Sequence, residues 1–348
     1  MKRSFVKRPP VKRNLHLRFT LHASRYTISS VITTVTLNPA LDLTLAVDDF
    51  VPDDSNRVIA ARKDPGGKGF NVSRMVKRLG YPTTAVGFLG GASGQEIIRH
   101  LKAEHIYVWH VDIAHETRVN VTISKRGKGL QTRFNQSGPL IRTEEWQALC
   151  ALLCQLADNA LYLVLSGSLP QGLPDDTYAC IIRMLRKINP ALRVVVDADG
   201  PVLAAAARER PFLIKPNVHE LNRYMGTRLE ANAADRDFMP VLRRLQKKGP
   251  EAILLSLGKR GCLLLYQGCL YRGTGPAAVR VRSTVGAGDS LLAGFLTGLA
   301  RRKSVEYSLE LALACATAAV VGQGTQLGRW PNVQKYLNKS KVQKLKLG

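Results

Sequence analysis

From about residue 143 the chain alternates helical and short apolar segments in a way that admits few folds. Helix 143–157 leads to strand Leu161–Leu165, and helix 175–188 leads to Arg193–Asp197. Helix 201–209 leads to Phe212–Ile214, and helix 235–248 to Ala252–Leu257. Each strand is a near-continuous apolar run, as in strands covered on both faces. This alternation predicts an α/β fold: a mainly parallel central sheet with helices on both sides. Two apolar helices, about 289–302 and 305–321, close the pattern. No apolar run reaches the length of about 18 residues that a membrane-spanning helix needs.

The first 140 residues read differently. Val31–Leu37 is a β-branched strand, Thr83–Leu89 an apolar one, and helices are expected over 71–79 and 93–104. Residues 42–47, 57–62, 118–124 and 131–136 alternate polar and apolar, so each offers one apolar face. The last two are joined by Lys125–Leu130, which contains Gly127 and Gly129 and suits a hairpin. These four strands are expected to form a small projecting sheet whose apolar face needs a partner, such as a second copy of the chain.

The chain carries 51 Lys and Arg against 26 Asp and Glu, a net charge of +25. Thirteen of those surplus charges lie in residues 1–30 and 331–348, which hold no acid. The expected organisation is a basic disordered extension (1–30), one catalytic-sized domain (31–330) and a basic tail (331–348). Blocks of like charge are usually solvated, less often arms for nucleic acid. A nucleic-acid or polyanion binder using these ends is the alternative from a different class. No aromatic-interleaved basic stripe supports it, so nucleic acid is not the expected partner. The six cysteines form no C-x-x-C pair. With no apolar signal segment, reduced thiols and a cytoplasmic location are expected.

Four segments carry chemistry. Ser283-Thr284-Val285-Gly286-Ala287-Gly288-Asp289-Ser290 runs into an apolar helix. A glycine turn at a helix start presents free amides and positive dipole character to an anion. A carboxylate there, Asp289, can take a proton from a hydroxyl attacking phosphorus, or can simply cap the helix. Asp64-Pro65-Gly66-Gly67-Lys68-Gly69-Phe70-Asn71 is a second glycine-rich loop before a helix, with Lys68 as a point charge for phosphate and Asn71 as an alternative cap. In Lys215-Pro216-Asn217-Val218-His219-Glu220, the three-residue spacing of Asn217 and Glu220 suits a capping box or a magnesium–water shell. Ser256-Leu257-Gly258-Lys259-Arg260-Gly261 is either a tight hairpin or a nucleotide-lining loop. Neither the Walker A pattern nor Gly-x-Gly-x-x-Gly occurs.

Taken in order, these motifs resemble the PfkB-type carbohydrate kinases of ribokinase-like fold, in the phosphofructokinase and tagatose-phosphate kinase branch. Thr36-Leu37-Asn38-Pro39-Ala40-Leu41-Asp42, Thr117-Arg118-Val119-Asn120 and Ser166-Gly167-Ser168-Leu169-Pro170 complete the set, over about residues 31–325. The resemblance implies transfer of the γ-phosphoryl of MgATP to a sugar-phosphate hydroxyl. Asp289 would be the catalytic base, and the amides of Gly286, Ala287 and Gly288 would stabilise the transferred group. Asp42, Gly67 and Asn71 would bind the sugar, and Lys68 and Arg118 its phosphate. Lys215, Asn217, Ser256, Gly258 and Gly261 would line ATP, with Glu220 and Asn217 near Mg2+ through water. The projecting sheet would be a lid, through which a homodimer forms.

Within the branch, Asn38-Pro39-Ala40 and Lys68 resemble 1-phosphofructokinase and tagatose-6-phosphate kinase members. Gly90–Gly94, Arg133-Phe134 and Gly322–Thr325 resemble the minor 6-phosphofructokinase. Fructose 6-phosphate is the expected acceptor, with fructose 1-phosphate and tagatose 6-phosphate as alternatives. Gly322 and Gln326 depart from the pattern of members that bind a monovalent cation, which argues against a potassium site.

Overall fold

The computed structural model describes residues 31–125, 131–276, 279–322 and 327–345. In chain order the first half holds β1 (Val31–Thr36), β2 (Ala40–Val47), β3 (Ala60–Gly66), α1 (Lys68–Arg78), β4 (Thr83–Leu89), α2 (Gly91–Ala103), β5 (Tyr107–Asp112), β6 (Val119–Lys125), β7 (Gln131–Phe134) and α3 (Thr143–Leu156). Then come β8 (Ala160–Ser166), α4 (Thr177–Arg186), β9 (Arg193–Asp197), α5 (Gly200–Arg208), β10 (Leu213–Ile214), α6 (Val218–Met225), α7 (Asp235–Gln246) and β11 (Ala252–Ser256). The chain finishes with β12 (Cys262–Tyr266), β13 (Cys269–Thr274), α8 (Ala287–Ala300), α9 (Val305–Val320), α10 (Trp330–Leu337) and β14 (Lys341–Leu345).

Ten strands form one sheet, ordered β14-β13-β12-β11-β10-β9-β8-β1-β4-β5. The run from β11 to β5 is parallel, and β12, β13 and β14 add antiparallel at one edge. The sheet is covered on both faces, and the strand residues show it by strict alternation. Leu163, Leu165, Val194, Val196, Ile253 and Leu255 belong to the core under α3–α7. Tyr162, Val164, Val195 and Leu254 belong to the opposite core, under α1, α8, α9 and α10. Each fully buried aliphatic side chain contributes about 1.5–3 kcal/mol relative to exposure, so both layers are needed. Helix α8 is apolar all round because α9 crosses it closely: a Cβ on Gly294 would stand 2.7 Å from the Ala312 Cα.

Strand order reverses between β1 and β8, since β1 leads outward to β4 while β8 to β11 build the other way. In open α/β sheets, ligands bind at the carboxyl ends of strands beside such a reversal. Ser166, Asp197 and Lys215 all stand at those ends.

The small sheet is present, ordered β3-β2-β6-β7. Its base packs on α2 through Leu41 and Val119. Strand β3 is displaced from the expected 57–62, because Asp64, Pro65 and Gly66 continue the ladder opposite Asp42, Leu41 and Ala40. The connector of the expected hairpin, residues 126–130, and the basic extension 1–30 lie outside the described residues, as do Gly324, Thr325 and Gln326.

Residues 331–345 are not a tail. Trp330, Val333 and Leu337 share one helical face and pack α10 on the core, and β14 pairs with β13. The five lysines of 331–348 hide this apolar spacing when charge is counted. Lys335, Lys339, Lys341 and Lys344 are exposed on it.

Candidate active site

Gly286 has φ 73°, the left-handed conformation that only glycine adopts without strain, and it turns the chain into α8. Asp289 follows in the first turn, only 7 % exposed. It does not cap the helix. Its Oδ2 instead accepts a hydrogen bond from Asn71 Nδ2 at 2.9 Å. Asn71 is not a cap either. Gly67, at φ 122°, opens α1 one turn earlier than expected, so Lys68 and Asn71 both project from its first turn.

Lys68 reaches across to Asp197 at the end of β9, with Nζ 3.0 Å from Oδ1. Lys215 approaches the other oxygen, Oδ2, at 3.2 Å. Lys215 Nζ also lies over the first turn of α8, where a Cβ on Gly288 would be 3.3 Å from it. The structure therefore gathers Asp289, Gly286, Gly288, Asn71, Lys68 and Lys215 from three separate motifs around one buried carboxylate. Burial alone would raise the Asp197 pKa, but Lys215 and Lys68 more than offset it and hold that group ionised below the usual range. Asp289 goes the other way. Burial, reinforced by the negative charge of Asp197, pushes it up to about 6, against the pull of Lys68, Asn71 and Lys215. Lys68 is held charged, chiefly by Asp197.

Asn217 and Glu220 form the capping box. Glu220 N donates to Asn217 Oδ1 and Asn217 N to Glu220 Oε2, both at 2.9 Å. Glu220 Oε1 remains on the cleft side, 4.0 Å from Lys68 Nζ. Ser256 N donates to Pro216 O at 3.0 Å, which places the 256–261 turn beside Asn217. That turn is a tight hairpin between antiparallel β11 and β12, closed by Leu257 N to Gly261 O at 2.8 Å. Gly258 faces open space, whereas Gly261 packs on the Gly273 carbonyl.

On the lid side, Asp42 accepts from Asn120 Nδ2 at 3.0 Å and lies against Gly66, leaving no room for a Cβ there. Burial raises its pKa, opposed by Asn120 and Arg118. Arg118 lies near enough to Asp42 for the two charges to interact. Its guanidinium braces the backbone carbonyls of Asn38, Pro39 and Gln136, at 2.9, 3.3 and 3.0 Å. It also lines a cavity of about 500 Å³ with Thr117, Gln136 and Gln171. Five buried polar atoms near these strand ends lack a hydrogen-bond partner: Thr36 Oγ1, Asn38 Oδ1, Asn120 Oδ1, Ser166 Oγ and Asp197 Oδ2, the last facing Lys215 only as an ion pair. Such orphans are uncommon in folded proteins and fit a place where ligand hydroxyls bind.

Two residues of this site carry no sequence signal strong enough to single them out by role: Asp197 and Asn120. An acid ending an apolar strand is the only hint at Asp197, and Asn120 lies inside the Thr117–Asn120 motif.

The model of the pfkB family carbohydrate kinases matches residues 35–332. The chain belongs to that family. It is 36% identical to the 1-phosphofructokinase of Bacillus subtilis over 315 residues, covering 90% of this chain and all of that one. It is 32% identical to the 1-phosphofructokinase of Borreliella burgdorferi, covering 84% of this chain and 92% of that one. Its fold matches the crystal structure of Escherichia coli phosphofructokinase-2 in complex with fructose-6-phosphate, with a TM-score of 0.81 and 29% identity over 89% of this chain and 98% of that one. The pfkB kinase is thus an ATP-dependent phosphotransferase acting on a sugar hydroxyl. Among the described residues no helix is long and apolar enough to cross a membrane.

Proposed function

We propose that this pfkB kinase phosphorylates a ketohexose phosphate, with fructose 1-phosphate as the preferred acceptor and fructose 1,6-bisphosphate as the product. The observation that carries this reading is the paired lysines on Asp197 beside Asp289, in a chain alike over 90% and 84% of its length to two relatives named 1-phosphofructokinase. Fructose 6-phosphate, expected from the Gly90–Gly94, Arg133-Phe134 and Gly322–Thr325 segments, gives way to the alternative on those relatives. The first two segments serve the lid and α2 rather than the cluster around Asp289. Gly90 anchors Thr117, and Arg133 lies exposed on β7.

In this mechanism the acceptor hydroxyl lies against Asp289, whose free carboxylate takes its proton. The hydroxyl oxygen bonds to the γ-phosphorus, the bond to the β-γ bridging oxygen breaks, and ADP leaves. Charge on the transferred group falls on the amides of Gly286, Ala287 and Gly288 and on the Lys215 ammonium. Asp42, Asn71 and the backbone at Gly67 hold sugar hydroxyls. Lys68 holds the acceptor phosphate. Arg118 spends three N–H donors as a brace and keeps two for that phosphate. Ser256, Gly258 and Gly261 line the nucleotide.

Among the described residues no cluster of three His, Cys, Asp or Glu could hold a metal directly. The donors present fit Mg2+ that arrives on ATP and keeps its waters, with Glu220 Oε1 and Asn217 beyond those waters. When bound, Mg2+ neutralises phosphate charge. We further propose that the lid pairs two copies of the chain, since Val58, Ile59 and Phe134 are exposed on it.

The test is ADP release with fructose 1-phosphate, fructose 6-phosphate, tagatose 6-phosphate and free fructose as acceptors. Turnover confined to the phosphorylated ketohexoses, with fructose 1-phosphate the best of them, supports the reading. Turnover with none of the four, or with free fructose best, refutes it.

A further inference from the structure

Asp197 is the one acid in the site with no solvent exposure, and each of its oxygens faces a lysine from a different motif, Oδ1 through a hydrogen bond from Lys68 and Oδ2 through an ion pair with Lys215. Lys68 comes from the first turn of α1, on the sugar side. Lys215 follows β10, on the nucleotide side, and reaches the first turn of α8. The Asp197 carbonyl also accepts from Gly167 N at 2.9 Å, which fixes the end of β9 against the loop after β8. An ammonium has three donors, so each lysine can give one to Asp197 and keep two for a ligand. Without the carboxylate the two ammonium groups would repel one another across a desolvated space, and neither would have a fixed place.

We propose that Asp197 is a positioning residue that ties the sugar-side and nucleotide-side cations into a single unit, so that a change at Lys68 is transmitted to the nucleotide through Lys215. This rests on the kinase reading of the site. Asp197 itself touches neither substrate. It is the hub through which the two phosphate sites sense one another. Its charge also faces Asp289, which is met by Asn71 and Lys68 from α1, Lys215 from the segment before α6, and Asp197 from β9. Removing the Asp197 charge takes away a negative neighbour of Asp289 and leaves two lysines uncompensated. Both effects favour the ionised form of Asp289.

The test is a double-mutant cycle on ATP affinity, measured by calorimetry without sugar. Lys68→Met should raise the ATP dissociation constant by about fivefold in the wild-type background and by less than about twofold in Asp197→Asn. An equal factor in both backgrounds would overturn the proposal. Carbon-13 NMR of labelled aspartate in the ligand-free protein gives a second readout that needs no turnover. The Asp289 midpoint should drop by at least about one pH unit in Asp197→Asn, and an unmoved midpoint would count against the hub. If the wild-type chain bound no ATP, the kinase reading would fall, while the NMR titration would still decide whether Asp197 governs Asp289. Should Asp197→Asn not fold, the cycle of Lys68→Met with Lys215→Met replaces it. Less-than-additive losses support the bridge, and additive losses overturn it.

Discussion

Asn71 and Asp289, 218 positions apart in sequence, meet through a 2.9 Å hydrogen bond that ties the first turn of α1 to the first turn of α8. The bond fixes one Asp289 oxygen and leaves the other for a substrate proton. Asp289→Asn should therefore lower kcat by at least about 10²-fold, the size expected for loss of a general base. ATP affinity should change little. Initial-rate kinetics together with calorimetric ATP binding check both parts.

The pH dependence follows from the environment of Asp289. A base works only when deprotonated, and this one is held up to about 6 by burial and by Asp197. The rate should fall on the acid side with a midpoint near 6, as measured from kcat against pH between 5 and 8. The same raised value has a sign for stability. The folded state binds this proton more tightly than the unfolded chain, so Asp289 costs stability as pH rises from about 4 through 6. Asp289→Asn should melt at or above the wild-type temperature at pH 8, although its activity is lost. A clear drop in melting temperature would contradict this.

Lys68 and Arg118 should separate by what they brace. Lys68→Ala should raise the KM for the sugar phosphate by about tenfold or more, as expected for a lost charge-assisted contact to phosphate. Its effect on ATP should be smaller. Arg118→Ala should weaken the same ligand, and should also lower the melting temperature, because three backbone carbonyls lose their donor. Equal losses for sugar and ATP in either variant would contradict the pocket assignment.

Helix packing behind the site should be as sensitive as the site. Gly294 faces the backbone of α9 at Ala312, with no space for a side chain. Gly294→Val should destabilise by at least about 1–3 kcal/mol, the range for overpacking a close-packed interior. Chemical denaturation would measure it.

The parallel body was legible because its strands are covered on both faces and so read as unbroken apolar runs. Val194 to Val196 and Leu163 to Leu165 are the plainest cases. The glycine motifs were legible because few residues other than glycine tolerate the backbone at Gly67 and Gly286. What stayed hidden depends on contacts between distant segments. The Asn217–Glu220 spacing fits a cap and a metal shell alike, and only the folded chain shows the cap formed. Asp197 has an ordinary local sequence and acquires its role from two lysines that lie 129 and 18 positions away. Helix α10 and strand β14 were masked by their lysines, since charge counting ignores the apolar face at Trp330, Val333 and Leu337.

The central claim is that this site selects a phosphorylated ketose, and it is tested most directly by comparing kcat/KM for fructose 1-phosphate, fructose 6-phosphate and free fructose with MgATP. The account predicts fructose 1-phosphate first, by at least about tenfold over fructose 6-phosphate and about 10³-fold over fructose, in keeping with charge-assisted contacts from Lys68 and Arg118 that only a phosphorylated acceptor can receive. Equal values for fructose and its phosphates, or a preference for fructose 6-phosphate, would contradict it.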